Sequence, residues 1–263
     1  MAVAAGPPGG LNSQLGRLAG SRILLSSLLG IALWEIAGRF VNPLFFAPFS
    51  AVVAVLWQLA LSGELWVHTS VTLLELVVGF TLGTALGLLG GTLAALNRTF
   101  RDLSDPWVSF IYSSPYVAFI PLLVLWLGIG LAPKIAITVL AVFIPVWLNT
   151  TVGIVNTEPL LVEVARSFNA SRLQIIVQVL FRSALPVILT GLRVAFSRGL
   201  IAVVVAEFIA STAGLGFLIE RAGSFFDAPR LLAGVTVLAV FTIAMTEVLK
   251  WVERKLAPWG LRQ

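Results

Sequence analysis

The sequence predicts an all-α, polytopic membrane protein. Hydrophobic residues make up 59% of the chain and charged residues only 11%, whereas soluble domains carry about 25% charged residues. The mean hydropathy is +1.01. Several apolar runs approach the roughly 20 residues that a helix needs to cross a bilayer. A length of 263 residues accommodates roughly six such spans with short loops. The expected organisation is a cytoplasmic tail over 1–22, one transmembrane domain over 23–256 and a second cytoplasmic tail over 257–263.

Composition also excludes several chemistries. There is no cysteine, so disulfides, iron–sulfur ligation and thiolate zinc sites are ruled out. The single His68 cannot build a histidine metal cluster. No Gly-Lys dipeptide occurs, so the chain has no phosphate-binding P-loop. No cofactor is expected on this chain, and any ATP would have to be bound, with its Mg, by another one. A net charge of +5 reads as lysine and arginine gathered at membrane boundaries, not as a nucleic-acid surface.

The spans follow in order. Residues up to Ser21 are rich in Gly, Pro and Ala, and Arg22 precedes "ILLSSLLGIALWEIAG". A basic start and an apolar run also fit a signal peptide. The run is long, however, and no Ala-x-Ala site follows it, which favours an uncleaved first span over 23–40. Pro43 and Pro48 end that helix. Ser50 is placed to cap a short amphipathic helix over 51–61, with Val52, Val55, Leu56 and Leu59 on one face at the outer surface. The second span, 69–96, carries Gly79, Gly83, Gly87 and Gly91, a small-xxx-small series that permits close helix contact in lipid. A third span over 107–127 is interrupted by Pro115 and Pro121. The fourth covers 134–155, the fifth 184–209 and the sixth 231–250.

Basic residues orient this arrangement. Eleven fall on one side: Arg17, Arg22, Arg98, Arg101, Arg166, Arg172, Arg182, Lys250, Arg254, Lys255 and Arg262. Four fall on the other: Arg39, Lys134, Arg221 and Arg230. The majority side, holding both termini and the segment 156–183, is predicted to be cytoplasmic.

That segment is polar and turn-rich between two apolar stretches. Thr157 is placed to cap a first helix, with Pro159 in its first turn. The helix is expected to run to about Phe168. Asn169 then sits where a left-handed residue would end it. Ser171 and Gln174 form the S-x-x-Q pattern of a capping box for a second helix. Leu173, Ile176, Val177, Leu180 and Ala184 mark its apolar stripe, and Pro186 falls in the first turn of the fifth span. An ordered, charged elbow outside the bilayer suits a protein partner, and it equally suits a surface connector with none.

"EVARSFNASRLQIIVQVLFRSALPVILTGLRVAF" resembles the EAA-loop signature of ABC importer permeases. Glu163 and Ala165 match; Val164 replaces the first Ala and Asn169 the usual Gly. Phe181-Arg182 stands where Leu-Pro is usual, and Leu185-Pro186 matches a later Leu-Pro. The resemblance runs from about Leu24 to Leu256. "PLLVLWLGIG", "KIAITVLAVFIPVWLNTTVGI" and "VVVAEFIASTAGLGFLI" are similar to permeases of the nitrate/sulfonate/taurine/bicarbonate type. It implies a MetI-like fold of six transmembrane helices whose elbow is a coupling helix docked on a cytoplasmic ATPase subunit. Glu163 would anchor that helix, Asn169 set its bend and Ala165 permit close approach, with Arg166, Ser167, Ala170 and Ser171 completing the coupling surface. It further implies a second permease copy, most simply as a homodimer, a periplasmic or lipid-anchored solute-binding protein on the outer face, and a bacterial inner membrane. Sulfonates, nitrate and aromatic acids are the implied cargo class, and neutral heterocycles stay open beside them.

Charges at bilayer depth need a partner or a watery cavity. Arg193 and Glu207 project from nearly the same face of the fifth span, roughly 21 Å apart at 1.5 Å per residue. They cannot pair directly. Each could serve a pathway, or pair structurally with a residue such as Glu35, Glu75 or Glu247. Arg198 points elsewhere and needs another partner. Tyr112 and Tyr116, the two tyrosines of the chain, stand with Ser113, Ser114 and Pro115 at a broken helix whose freed backbone groups need partners. With Asn149, Thr150 and Thr151 they make a plausible polar lining, or simply helix packing. His68 reads as a solvated interfacial histidine, and the tryptophans as interface anchors. Two other classes compete. A secondary transporter or channel acting alone fits the broken helices and intramembrane charges. A membrane enzyme is poorly served, because the carboxylates are scattered.

Overall fold

The computed structural model describes the backbone of residues 10–258 and side chains from residue 25 to residue 258. Residues 1–9 and 259–263 fall outside the described residues, as do the side chains of Arg17, Arg22, Trp259 and Arg262, while a helix already begins at Gly10, within the stretch expected as an N-terminal tail. The elements are α1 (Gly10–Phe40), α2 (Phe49–Leu61), α3 (Glu64–Leu96), α4 (Arg98–Ser113), a 3-10 turn (Tyr116–Phe119), α5 (Ile120–Leu127), α6 (Leu131–Val155), α7 (Pro159–Ser167), α8 (Arg172–Ile209), α9 (Leu215–Ser224) and α10 (Ala228–Leu256). Four of these, α3, α6, α8 and α10, are long and apolar enough to cross a membrane, and α4 with α5 forms a fifth, bent candidate.

The core is a three-helix stack of α3, α6 and α8, and the glycine series sets its register. A Cβ on Gly79, Gly83 or Gly87 would stand 2.5–2.8 Å from the Cβ of Thr138, Val142 or Val146, and one on Gly91 would meet the Trp147 carbonyl at 2.6 Å. Bare backbone is what lets the two helices touch. Both members of each pair advance by four residues together, so α3 and α6 run parallel. On the other face of α6 the order reverses. Gly153 meets Ala184, Gly191 meets Asn149 and Gly199 meets Val142, so α8 is antiparallel to α6. Parallel α3 and α6 require the chain between them to return to the starting end, and α4–α5 makes that return.

The return is not one interrupted rod. The helix axis turns by 90° between Ser113 and Tyr116. Pro115 causes this by excluding helical geometry from the residue before it: Ser114 is extended, at φ −78° and ψ 142°. Pro121, expected to break the span, instead sits in the first turn of α5, where its missing amide costs nothing.

Several local expectations are corrected. Helix α2 begins at Phe49, and Ser50 does not cap it. The Ser50 amide and hydroxyl both donate to Glu35, at 2.9 and 3.0 Å, which ties α2 to α1. The face of Val52 and Leu59 packs with Leu218, Ala228 and Ala233. Thr157 does not cap α7 either; its hydroxyl donates back to the Gly153 carbonyl. The second elbow helix and the fifth span are one continuous helix, Arg172–Ile209. A wide π turn over Ile175–Leu180 joins them, and Pro186 lies inside the helix. Helix α9 is an additional element, whose ten residues are too few to register as a span in the sequence. Trp147, expected at an interface, is buried between Phe100 and Phe143.

Candidate functional site

The bend of the elbow is capped on both sides. Helix α7 ends in a Schellman arrangement: the Asn169 amide donates to Arg166 O (2.9 Å) and the Ala170 amide to Ala165 O (3.1 Å). Asn169 supplies the left-handed turn, at φ 57°. The chain restarts through a complete capping box, with the Gln174 amide donating to Ser171 Oγ and the Ser171 amide to Gln174 Oε1. Ser167 Oγ closes locally on Val164 O at 2.7 Å. Glu163, Arg166 and Ser171 are exposed, and Ala165 and Ala170 are half-buried. No residue of α7 is buried. Leu160, Leu161 and Val164 are 57%, 44% and 47% exposed, and the adjoining Phe168 is 82% exposed. This apolar stripe went unremarked in the sequence, although Phe168 beside the predicted bend was a visible signal.

A second constellation lies where α3, α6, α8 and α9 meet. Lys134 pairs with Glu75, their side chains 5% and 0% exposed. Lys134 also donates to Ser211 Oγ at 2.9 Å. It is therefore a buried partner rather than an outer boundary charge, and the outer basic group shrinks to Arg39, Arg221 and Arg230. Glu207 accepts from Thr72 Oγ1 (2.7 Å) and from the Gly216 amide (2.6 Å). Thr72 Oγ1 accepts the Leu215 amide (2.8 Å), and His68 Nδ1 accepts the Gly214 amide (3.0 Å). Three successive amides at the start of α9 thus find acceptors on α3 and α8, satisfying donors that a helix N-terminus leaves unpaired. Gly214 is at φ 126°, and a Cβ there would lie 2.0 Å from Glu207 Oε1. This corrects two expectations. His68 is buried, not solvated, and Glu207, 1% exposed, is enclosed within the protomer instead of lining an open path. Arg193 pairs with Glu253 on α10, an acceptor outside the three considered, and ties α8 to α10.

The third constellation is the bend. Tyr112 is 48% exposed, with the Arg198 guanidinium 5.0 Å from its ring centroid. Tyr116 donates its hydroxyl to Arg198 O at 3.5 Å. Ser113 is exposed beside them. Asn149 does not join this group. It donates to Pro145 O at 2.8 Å and packs on Gly191, roughly 10 Å along α8 from Arg198 at 1.5 Å per residue. Thr151 is spent on the Gly91 and Trp147 carbonyls. Of the predicted pathway residues, the fold gathers Tyr112, Ser113 and Tyr116 and separates Asn149, Arg193 and Glu207.

The described residues thus form a polytopic helical bundle with an exposed, capped elbow. Residues 83–259 match the family of the binding-protein-dependent transport system inner membrane component, and the chain belongs to that family. Among its relatives is the taurine transport system permease protein TauC of Escherichia coli K12, 33% identical over 86% of this chain and 84% of that one. Another is the aliphatic sulfonates transport permease protein SsuC of Bacillus subtilis 168, 33% identical over 90% and 86%. The riboflavin transport system permease protein RibX of Chloroflexus aurantiacus is 35% identical over 88% and 87%. The fold is similar to that of a chain of the inward-facing MetNI methionine ABC transporter, with TM-score 0.64, 19% identity and coverage of 74% of this chain and 95% of that one. The protein is an ABC importer permease, and this membership sets aside a secondary transporter acting alone.

Proposed function

We propose that this chain is one of two identical permease subunits of an importer for small anions, with sulfonates as the leading class. Helix α7 is its coupling helix. The observation that carries this is the elbow. An exposed apolar stripe, Leu160, Leu161, Val164 and Phe168, leads into a bend capped on both of its sides, and no described residue buries it. A stripe so placed fits the cleft of a separate cytoplasmic ATPase, which binds ATP and Mg. Glu163, Arg166, Ser167 and Ser171 surround it with polar contacts, and Ala165, Asn169 and Ala170 set its shape. Because α8 continues unbroken from the elbow to Ile209, a push on α7 travels along one rod into the core. The taurine and sulfonate systems of the relatives support the cargo class, and a solute-binding protein on the outer face would deliver it.

The same reading places six crossings, α1, α3, α4–α5, α6, α8 and α10, in a bacterial inner membrane. Both termini and the elbow are cytoplasmic, and residues 23–256 form the transmembrane domain. In the assembled complex, Glu163→Lys and Asn169→Pro should leave the permease inserted and abolish binding-protein-stimulated ATP hydrolysis. The chain has no native cysteine, so Ser167→Cys gives a unique crosslinking site that should capture the ATPase subunit in native membranes. Unchanged stimulation in both variants, or no ATPase in the crosslinked product, would refute the coupling role.

A further inference from the structure

Among the described residues, the charged side chains at membrane depth have partners with one exception. Lys134 has Glu75, Arg193 has Glu253, and Glu207 has the Thr72 hydroxyl and the Gly216 amide. Arg198 forms no ion pair among the described residues. It stands about 16 Å from the end of α8 at Ile209 by helical rise, near the middle of a hydrocarbon core about 30 Å thick. A guanidinium at that depth is retained where it meets a counter-charge or lines a water-filled cavity. Its partner within the chain is the face of Tyr112, which orients the cation without neutralising it.

Tyr112 and Ser113 are exposed, and Arg198 is only half-buried. The bend at Ser114–Pro115 ends α4 directly beside Tyr112 and Ser113. The planar guanidinium fork matches a carboxylate or sulfonate with two parallel N–H donors, as an ammonium cannot. We propose that Arg198 is the counter-ion for a small organic anion crossing the membrane along this face. Tyr112 fixes the plane of the guanidinium, while Ser113 and Tyr116 line the path. The inference rests on the importer reading above and deepens it. It selects an anion over a neutral cargo from the chain's own charge balance.

The test is direct binding to the full-length permease in phosphatidylcholine nanodiscs, followed by 19F NMR of 4-fluorobenzenesulfonate. The wild type should broaden the probe signal saturably, and methanesulfonate should displace the probe while methanesulfonamide does not. Arg198→Gln should weaken binding about tenfold or more, as the loss of a charge-assisted contact predicts, and Arg198→Lys should recover part of it. Tyr112→Leu, which leaves the charge in place, should weaken binding less. Binding to Arg198→Gln at wild-type strength, equal binding of 4-fluorobenzenesulfonamide, or no saturable binding to wild type would each overturn the proposal. If Arg198→Gln fails to assemble, wild-type affinity in Tyr112→Leu and Arg198→Lys together overturns it. ATPase stimulation through the elbow is read separately, so a failed anion site leaves the coupling role standing.

Discussion

The ammonium of Lys134 on α6 pairs with the carboxylate of Glu75 on α3, and neither side chain has meaningful access to solvent. Two helices that touch through bare glycine backbone are thus also joined by charge, close to the loop that carries Ser211 and the start of α9. Lys134→Met alone should destabilise the detergent-solubilised protein by about 3–5 kcal/mol, because Glu75 is left buried without a partner. Lys134→Met with Glu75→Leu should recover most of that loss. Thermal unfolding of the three proteins checks this, and a double variant no better than the single one would show that the pair does more than balance charge.

Helix contact at the glycine series predicts a steep size dependence. Gly83→Ala places a Cβ 2.8 Å from that of Val142 and 2.9 Å from a backbone carbonyl, which cannot yield as a flexible side chain does. A loss of about 1–3 kcal/mol is expected from overpacking. Gly30→Ala, with nothing within 4 Å, should be neutral. The same thermal assay separates them.

At the elbow, backbone conformation is the decisive variable. Asn169→Gly should preserve stimulated ATP hydrolysis, since glycine adopts the left-handed turn freely. Asn169→Val should lose most of it, because a β-branched residue meets a conformational cost of about 1–2 kcal/mol there and the joint relaxes. Equal ATPase rates in the two variants would detach coupling from this turn.

Orientation can be read with single cysteines. Ser171→Cys should react with a membrane-impermeant maleimide in inside-out vesicles only, and Gln58→Cys in right-side-out vesicles only. Labelling of both in one preparation would refute the proposed topology.

Much of the elbow was legible because its grammar is local. Asn169, Ser171 and Gln174 act within three or four residues of themselves, so the bend and the second cap could be read directly. Thr157 misled because a hydroxyl near a helix start can bond backward to Gly153 as readily as forward. His68 misled for a different reason. Its partner is the Gly214 amide, 146 residues away, and nothing near His68 announces it. Arg198 points away from Arg193 and Glu207 on its own helix, which the sequence shows. Its lack of an ion pair among the described residues is visible only in the tertiary structure.

The sequence by itself determined that the chain is helical, embedded in a membrane, glycine-sutured along α3 and bent at 156–174, because hydropathy, small-residue spacing and caps are written in neighbouring residues. The tertiary structure alone decided which charges neutralise one another, that the fifth span and the second elbow helix are a single rod, and that Tyr112 lies against Arg198. Those outcomes depend on helices meeting across long stretches of chain, and inside a bilayer the energy of a charge is set by whatever the fold brings beside it.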